Sequence, residues 1–401
     1  MKTYIDLLRE PGAARVVASQ LVARFPFGML AIAYLVFVEQ NYHSYTIAGL
    51  ALGASSLGQA VAGPFTSRLL GRFGIRPVVT VTVIVVSVAN IIIAFAVPPV
   101  WLLLLLAAIE GVSTPPIQPA VRTIYPKMVP ASKLTALFSL DAAAQELIWI
   151  VGPVLSAVLA IQVSPVVAIL TAVGFFVVGG FWFVTSPIVG RVAIPRSRRR
   201  LGSVLKNSTV VVSTSVGLLL VASFGAVEAG IVSIYGDGSP NAGLVLAVFS
   251  VSSLIGGLVV GHRPLGRYSL ALRMTIVAFG LIVLPISLNF WWLCVVLFIA
   301  GLGVAPALAA LFSAVSGTVK FSDTAEAFGW MGTGQLIGVA GGSALAGIAI
   351  DNFGSAAALL IAGVFAIAGT VAAYIGARWM PDLRNGDVGP IADTDAVEVV
   401  S

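Results

Sequence analysis

The chain has 401 residues, of which 59% are hydrophobic and 9% charged, and its formal net charge is +6. A soluble globular domain carries about 25% charged residues, so a chain this poor in charge cannot clothe a water-facing surface, and its mean hydropathy of +1.05 agrees. A soluble enzyme, a nucleic-acid-binding domain, a disordered protein and a disulfide scaffold are excluded, which leaves a polytopic membrane protein.

Taken in chain order, the first 15 residues are polar and charged and carry no cleavable signal peptide. Residues 3–9 read as a short interfacial helix. A bilayer core about 30 Å thick takes about 20 apolar residues to cross. Segments of that length are predicted at 16–38, 46–69, 77–97, 101–124, 135–160, 165–187, 209–235, 242–261, 271–289, 291–316, 327–350 and 356–377. They are numbered here as spans 1 to 12. Turn signals separate them, as in Val97-Pro98-Pro99, Gly236-Asp237-Gly238-Ser239-Pro240 and Asp351-Asn352-Phe353-Gly354.

The basic residues settle the orientation. Of the 22 Lys and Arg, all but Arg24 fall in alternate connections or the two tails, and the intervening loops hold none. The positive-inside rule makes that face cytoplasmic, with both termini inside, and the alternation requires an even number of spans. The Arg196–Arg200 run between spans 6 and 7 reads as a topology signal and anionic-lipid contact rather than a nucleic-acid patch.

That linker divides the chain. The predicted organisation is a six-helix bundle over 1–190, a basic cytoplasmic linker over 191–208, a second six-helix bundle over 209–380 and a disordered acidic tail over 381–401. A weak internal repeat supports the division at one constant offset. Gly111 matches Gly301, Pro116 matches Pro306, Phe138 matches Phe328, Gln145 matches Gln335 and Gly152 matches Gly342. Two parallel halves of this kind are the pattern of a twelve-helix, all-α transporter architecture.

The connection after span 2 reads Gly63-Pro64-Phe65-Thr66-Ser67-Arg68-Leu69-Leu70-Gly71-Arg72-Phe73-Gly74-Ile75-Arg76-Pro77. It resembles the loop 2–3 motif of the major facilitator superfamily, with Gly71 at the usual Asp position. Gly152-Pro153 in span 5 is similar to the core of that family's antiporter motif, although Ile148, Ser156 and Ala157 replace flanking glycines. Ala107 and Glu110 stand where a span-4 motif would have Arg and Gln. Ser139-Leu140-Asp141-Ala142, Ala305 to Leu311 and Thr324 to Phe328 resemble a subgroup common in high-GC Gram-positive bacteria, usually labelled drug or metabolite efflux carriers. The resemblance implies alternating access. It also implies a cytoplasmic gate formed by Gly63, Arg68, Gly71, Arg72, Gly74 and Arg76 with Glu326 at the start of span 11. Arg122 and Asp141, near the same end of adjacent spans, read as gate or scaffold.

A charge at mid-bilayer costs about 2.5–3.5 kcal/mol even on lenient scales, so Arg24, Glu110, Glu146 and Glu228 point to mechanism. At about 1.5 Å per residue, Arg24 and Glu110 fall at similar depth, which predicts an Arg24–Glu110 pair, or Arg24 shared between Glu110 and Glu146. A carboxyl in an apolar cavity can carry a proton across and release it when an Arg or a cationic substrate approaches. Phe27, Tyr34, Trp149 and Trp330 are candidate substrate-cavity aromatics. Trp101, Trp182, Trp291, Trp292 and Trp379 lie at span ends and read as interfacial anchors.

No phosphate-binding loop is present, the glycine pairs lie inside apolar spans, and Cys294 with two histidines forms no metal or nucleophile constellation. The expected protein is a monomeric secondary transporter of the cell membrane, without cofactor or metal, whose partners are a small-molecule substrate, protons and the bilayer. Proton-coupled export of small amphipathic, cationic compounds is the first reading. Uptake of a nutrient by symport or facilitation is the second, and a non-transporting membrane sensor the third.

Overall fold

A computed structural model describes residues 2–197, 199–236, 239–261, 263–384 and 389–392. Arg198, Asp237, Gly238, His262 and most of the acidic tail expected to be disordered lie outside the described residues. Among the described residues the regular structure is helical, apart from one isolated bridge between Lys320 and Ile391.

Twelve helical segments are long and apolar enough to cross a membrane. They run Ala13–Tyr42, Tyr45–Phe73, Ile75–Ala96, Val100–Lys127, Ala131–Val163, Pro165–Val184, Ser208–Tyr235, Pro240–Val260, Ser269–Ile286, Phe290–Ser316, Phe321–Phe353 and Ser355–Trp379. These are spans 1 to 12. A short helix, Lys2–Leu8, precedes them. Spans 1, 2, 4, 5 and 11 extend up to six residues beyond the predicted cores, because polar helix ends project past the apolar stretch that hydropathy detects, whereas spans 6 and 9 end three residues before the predicted bounds.

Local chemistry starts and interrupts the spans. Ser44, Ser164, Asn207 and Asn289 cap the starts of spans 2, 6, 7 and 10, each side chain accepting a backbone N–H of the first turn. Span 1 is divided between Arg24 and Pro26, where proline removes a backbone donor. Span 4 breaks around Ser113–Pro116 and span 10 around Leu302–Gly303. The two breaks fall at equivalent places in the repeat. A wide π turn, Leu159–Val163, ends span 5.

The chain forms two compact units. One contains residues 8–128 and 147–198, and the other residues 1–7, 129–146 and 199–401. The division therefore runs through span 5 and differs from the expected division at the linker alone. The first half of span 5 packs with C-terminal helices: the Phe138 ring lies 6.4 Å from Phe312 and 6.2 Å from Phe328, and the Ser139 hydroxyl donates to Gly257 O at 2.7 Å. Tyr4 of the N-terminal helix donates to the same carbonyl at 3.0 Å. Burial of the Tyr4 ring pushes its hydroxyl pKa up from the usual value.

In the unit holding spans 1–4 and 6, the core gathers Tyr34, Phe37, Ile93 and Leu103, with Met29 and Phe176 in an adjoining cluster. Small residues let backbones touch there, as expected where lipid supplies no hydrophobic drive between helices. A Cβ on Gly111 would lie 1.9 Å from Ser55 O, and one on Gly152 would lie 2.9 Å from the Gly28 Cα. The other unit repeats the device at matching glycines. A Cβ on Gly301 would lie 1.8 Å from the Ser252 hydroxyl, and one on Gly342 would lie 2.0 Å from Ala222 O. Two of the repeat pairs thus make the same kind of contact, span 4 on span 2 as span 10 on span 8, and span 5 on span 1 as span 11 on span 7.

Candidate functional site

Two glutamates within the spans are each held by a serine of a neighbouring helix. Glu110, 5% exposed in span 4, accepts a hydrogen bond from the Ser55 hydroxyl of span 2. The glycine that follows, Gly111, brings the two backbones together and so sets this contact. Glu146, half-buried in span 5, accepts from the Ser253 hydroxyl of span 8 at 2.8 Å. The Ser253 oxygen in turn accepts the Ala305 N–H at 3.2 Å, where span 10 begins its second helix. Spans 5, 8 and 10 are thereby joined through one hydroxyl. Both carboxylates have neutral donors, and neither has a basic group within ion-pair distance among the described residues.

The expected Arg24–Glu110 pair is not formed. Arg24 is 2% exposed, and its Nη1 donates to Gln20 Oε1 at 2.8 Å, one turn earlier on its own helix. Similar depth does not place two side chains on facing helix surfaces. Glu228 is exposed on span 7 and has no hydrogen-bond partner among the described residues.

The four aromatics separate. Tyr34 is 1% exposed and donates to Asn90 Oδ1 at 3.0 Å, so it is a core residue and not a cavity surface. Phe27 packs edge-on against Phe176 at 6.1 Å. Trp149 is 51% exposed on span 5. The Trp330 ring lies against Gly202 of the linker, and its indole N–H has no partner among the described residues.

At the basic end, the loop 2–3 residues have structural partners. Gly74 ends span 2 at φ 85°, a left-handed conformation that favours glycine. Arg76 Nε donates to Val184 O at 2.9 Å and Nη2 to Ser186 O at 3.4 Å, closing the end of span 6. Gly190 lies so close to that guanidinium that a Cβ would sit 2.3 Å from Nη2. Arg72 stacks over the Phe73 ring at 5.0 Å. Gly63 and Arg68 are half-buried on span 2. A Cβ on Gly71 would lie 3.0 Å from Pro195 O, so the linker backbone passes close to the position where the family's motif usually has Asp. Arg122 is buried, and both its Nη groups donate to the Gln118 amide oxygen at 2.6 and 2.7 Å. Asp141 is fully buried. Glu326 is 2% exposed and its Oε1 accepts the Gly202 N–H at 2.7 Å. Gly152 and Pro153 lie where span 5 meets span 1, and the Ser156 hydroxyl one turn on donates to Met29 O at 2.7 Å.

Sequence reasoning misses Ser55 and Ser253. A faint signal exists, since Ser55-Ser56 and Ser252-Ser253 are serine pairs on spans 2 and 8, each followed by a packing glycine. Ser55 and Ser253 lie eight residues further apart than the matched glycines, so the two serines are not equivalent positions of the repeat and a constant-offset search passes over them.

The family model described as Major Facilitator Superfamily matches residues 16–288 and 210–393. The chain belongs to the major facilitator superfamily. Among solved structures, the crystal structure of the human organic anion transporter MFSD10 (TETRAN) aligns with a TM-score of 0.68 at 14% identity, covering 91% of this chain and 100% of that one. At that identity the likeness carries the fold. No curated protein matches. As a major facilitator protein the chain is a multi-pass membrane transporter of small molecules and not an enzyme.

Proposed function

We propose that this transporter exports small amphipathic, cationic compounds in exchange for protons, by alternating access, as a monomer in the cell membrane with its basic end in the cytoplasm. The observation that carries the reading is the pair of intramembrane carboxylates, Glu110 on Ser55 and Glu146 on Ser253, each met by a hydroxyl and by no cation among the described residues. A carboxyl in such surroundings is neutral when protonated and can meet a cationic substrate when ionised. A hydroxyl suits both states, because it donates to the carboxylate and accepts from the acid.

Glu146 is the preferred proton carrier. Its serine is also tied to the Ala305 backbone at the break in span 10, so a change at the carboxyl reaches two further helices. Exposed Glu228 and Trp149 are further candidates to meet substrate. The solved neighbour carries organic anions. Here the acidic groups away from the span ends are three glutamates and Asp141 against Arg24, which favours a cationic cargo.

The test is transport in reconstituted vesicles with a pH-sensitive dye inside. Addition of a transported lipophilic cation should move protons in the opposite direction in the wild-type protein. Substrate flux without proton movement, and indifferent to an imposed pH gradient, would return the protein to facilitated or differently coupled uptake.

A further inference from the structure

A cavity of about 600 Å³ opens where the basic linker meets the connection between spans 10 and 11, entirely within the unit that contains residues 199–401. That volume lies in the range of small-molecule sites. Its charged lining is Arg199, Arg200, Lys206 and Lys320 against one carboxylate, Asp323. Asp323 is already faced by Arg199 at 3.8 Å. Arg200, Lys206 and Lys320 have no carboxylate within ion-pair distance among the described residues. The Ser203 hydroxyl in the wall has no hydrogen-bond partner among the described residues.

The far wall is held in place by backbone ties. Ile391 pairs with the span 10–11 connection, its N–H donating to Val319 O at 3.0 Å and its carbonyl accepting the Phe321 N–H at 3.1 Å. Asn207 donates to Thr318 O at 2.9 Å and fixes the linker to the same connection. A concave surface is thereby ordered around Arg200, Lys206 and Lys320, which have no carboxylate partner among the described residues. Like charges gathered around one concavity raise its positive potential and favour an anion there.

We propose that this cavity is a binding site for a phosphate-bearing anion, seated between Arg200, Lys206 and Lys320 and bonded by Ser203. Guanidinium and ammonium groups together suit phosphate oxygens, the first by a two-pronged fork and the second as a point charge. The ligand is either a phospholipid headgroup or a soluble phosphate compound. Bound there, it ties the linker to the first turn of span 11 and stabilises the unit.

The test uses the full chain in detergent at constant ionic strength. Thermal unfolding is followed with inorganic phosphate, pyrophosphate or short-chain phosphatidylglycerol as probes, and pyrophosphate affinity is measured by equilibrium dialysis. A rise in the unfolding midpoint with the lipid alone identifies a headgroup, with pyrophosphate or phosphate alone a soluble compound, and with both the shared chemistry. Lys206→Gln and Arg200→Gln, each at an exposed position, should weaken the active probe about tenfold or more, while Arg378→Gln, whose guanidinium stacks on Trp379, should leave it unchanged. Absence of any shift with all three probes, or an equal shift in both cavity variants and wild type, overturns the proposal.

Discussion

Glu146 of span 5 and Ser253 of span 8 are joined at 2.8 Å, and the same serine oxygen receives the Ala305 N–H at the break in span 10. One hydroxyl thus links a titratable side chain to the backbone of a discontinuous helix. Discontinuous spans are where transporters of this architecture place their sites.

Ser253→Ala removes the donor to Glu146 and leaves the Ala305 N–H without its side-chain acceptor. A buried group so abandoned costs about 1–3 kcal/mol. The expected outcome is a lower unfolding midpoint together with a shifted pH profile of transport. Ser253→Thr, which keeps the hydroxyl, should restore the profile. A profile identical to wild type in Ser253→Ala would show that the serine does not tune Glu146.

Tyr34→Phe separates core from cavity. The phenol donates to Asn90, whose amide also donates to Val86 O at 2.8 Å. Loss of one buried hydrogen bond should cost about 1 kcal/mol and leave the apparent KM for every substrate unchanged. A selective change in KM would restore Tyr34 to the substrate surface.

Gly111→Ala and Gly301→Ala test the repeat. The new methyl would meet Ser55 O in the first case and the Ser252 hydroxyl and Phe249 O in the second. Overpacking of this kind costs about 1–3 kcal/mol or more. Both variants should show a reduced unfolding midpoint, and Gly111→Ala should also disturb transport through the adjacent Glu110. Gly174→Ala, where no atom lies within 4 Å, serves as the neutral control.

Glu326→Gln tests the proposed gate. The side-chain oxygen can still accept the Gly202 N–H, so the fold should persist, but a charge at the start of span 11 is lost. The expected result is a shift in the accessibility of single-cysteine probes placed at the basic end, measured after Cys294 has been replaced. Unchanged accessibility would confine Glu326 to holding the linker.

The twelve spans were legible because only a bilayer core demands so many apolar runs of that length in one chain, and the glycine repeat because close helix contact tolerates only small residues. The serine contacts were harder to read. Ser55 and Ser253 resemble any other small residue on a span until the facing carboxylate is in place. Depth arithmetic misled for Arg24, since rise along an axis carries no information about azimuth and the guanidinium turned back to Gln20. Gly71 was legible as a departure from the family's motif, but the Pro195 carbonyl close beside it belongs to a linker more than 100 residues away in the chain. The tail reads as acidic and featureless by composition, yet Ile391 is paired with Val319 and Phe321, a long-range contact that composition cannot reveal.

Whether Glu146 carries the coupled proton is tested most directly by substrate-driven proton flux in vesicles containing wild type, Glu146→Gln or Glu110→Gln. Proton movement is expected in wild type and none in Glu146→Gln, which should still bind substrate. Normal, pH-independent transport in Glu146→Gln and in Glu110→Gln would contradict a coupling role for either carboxyl.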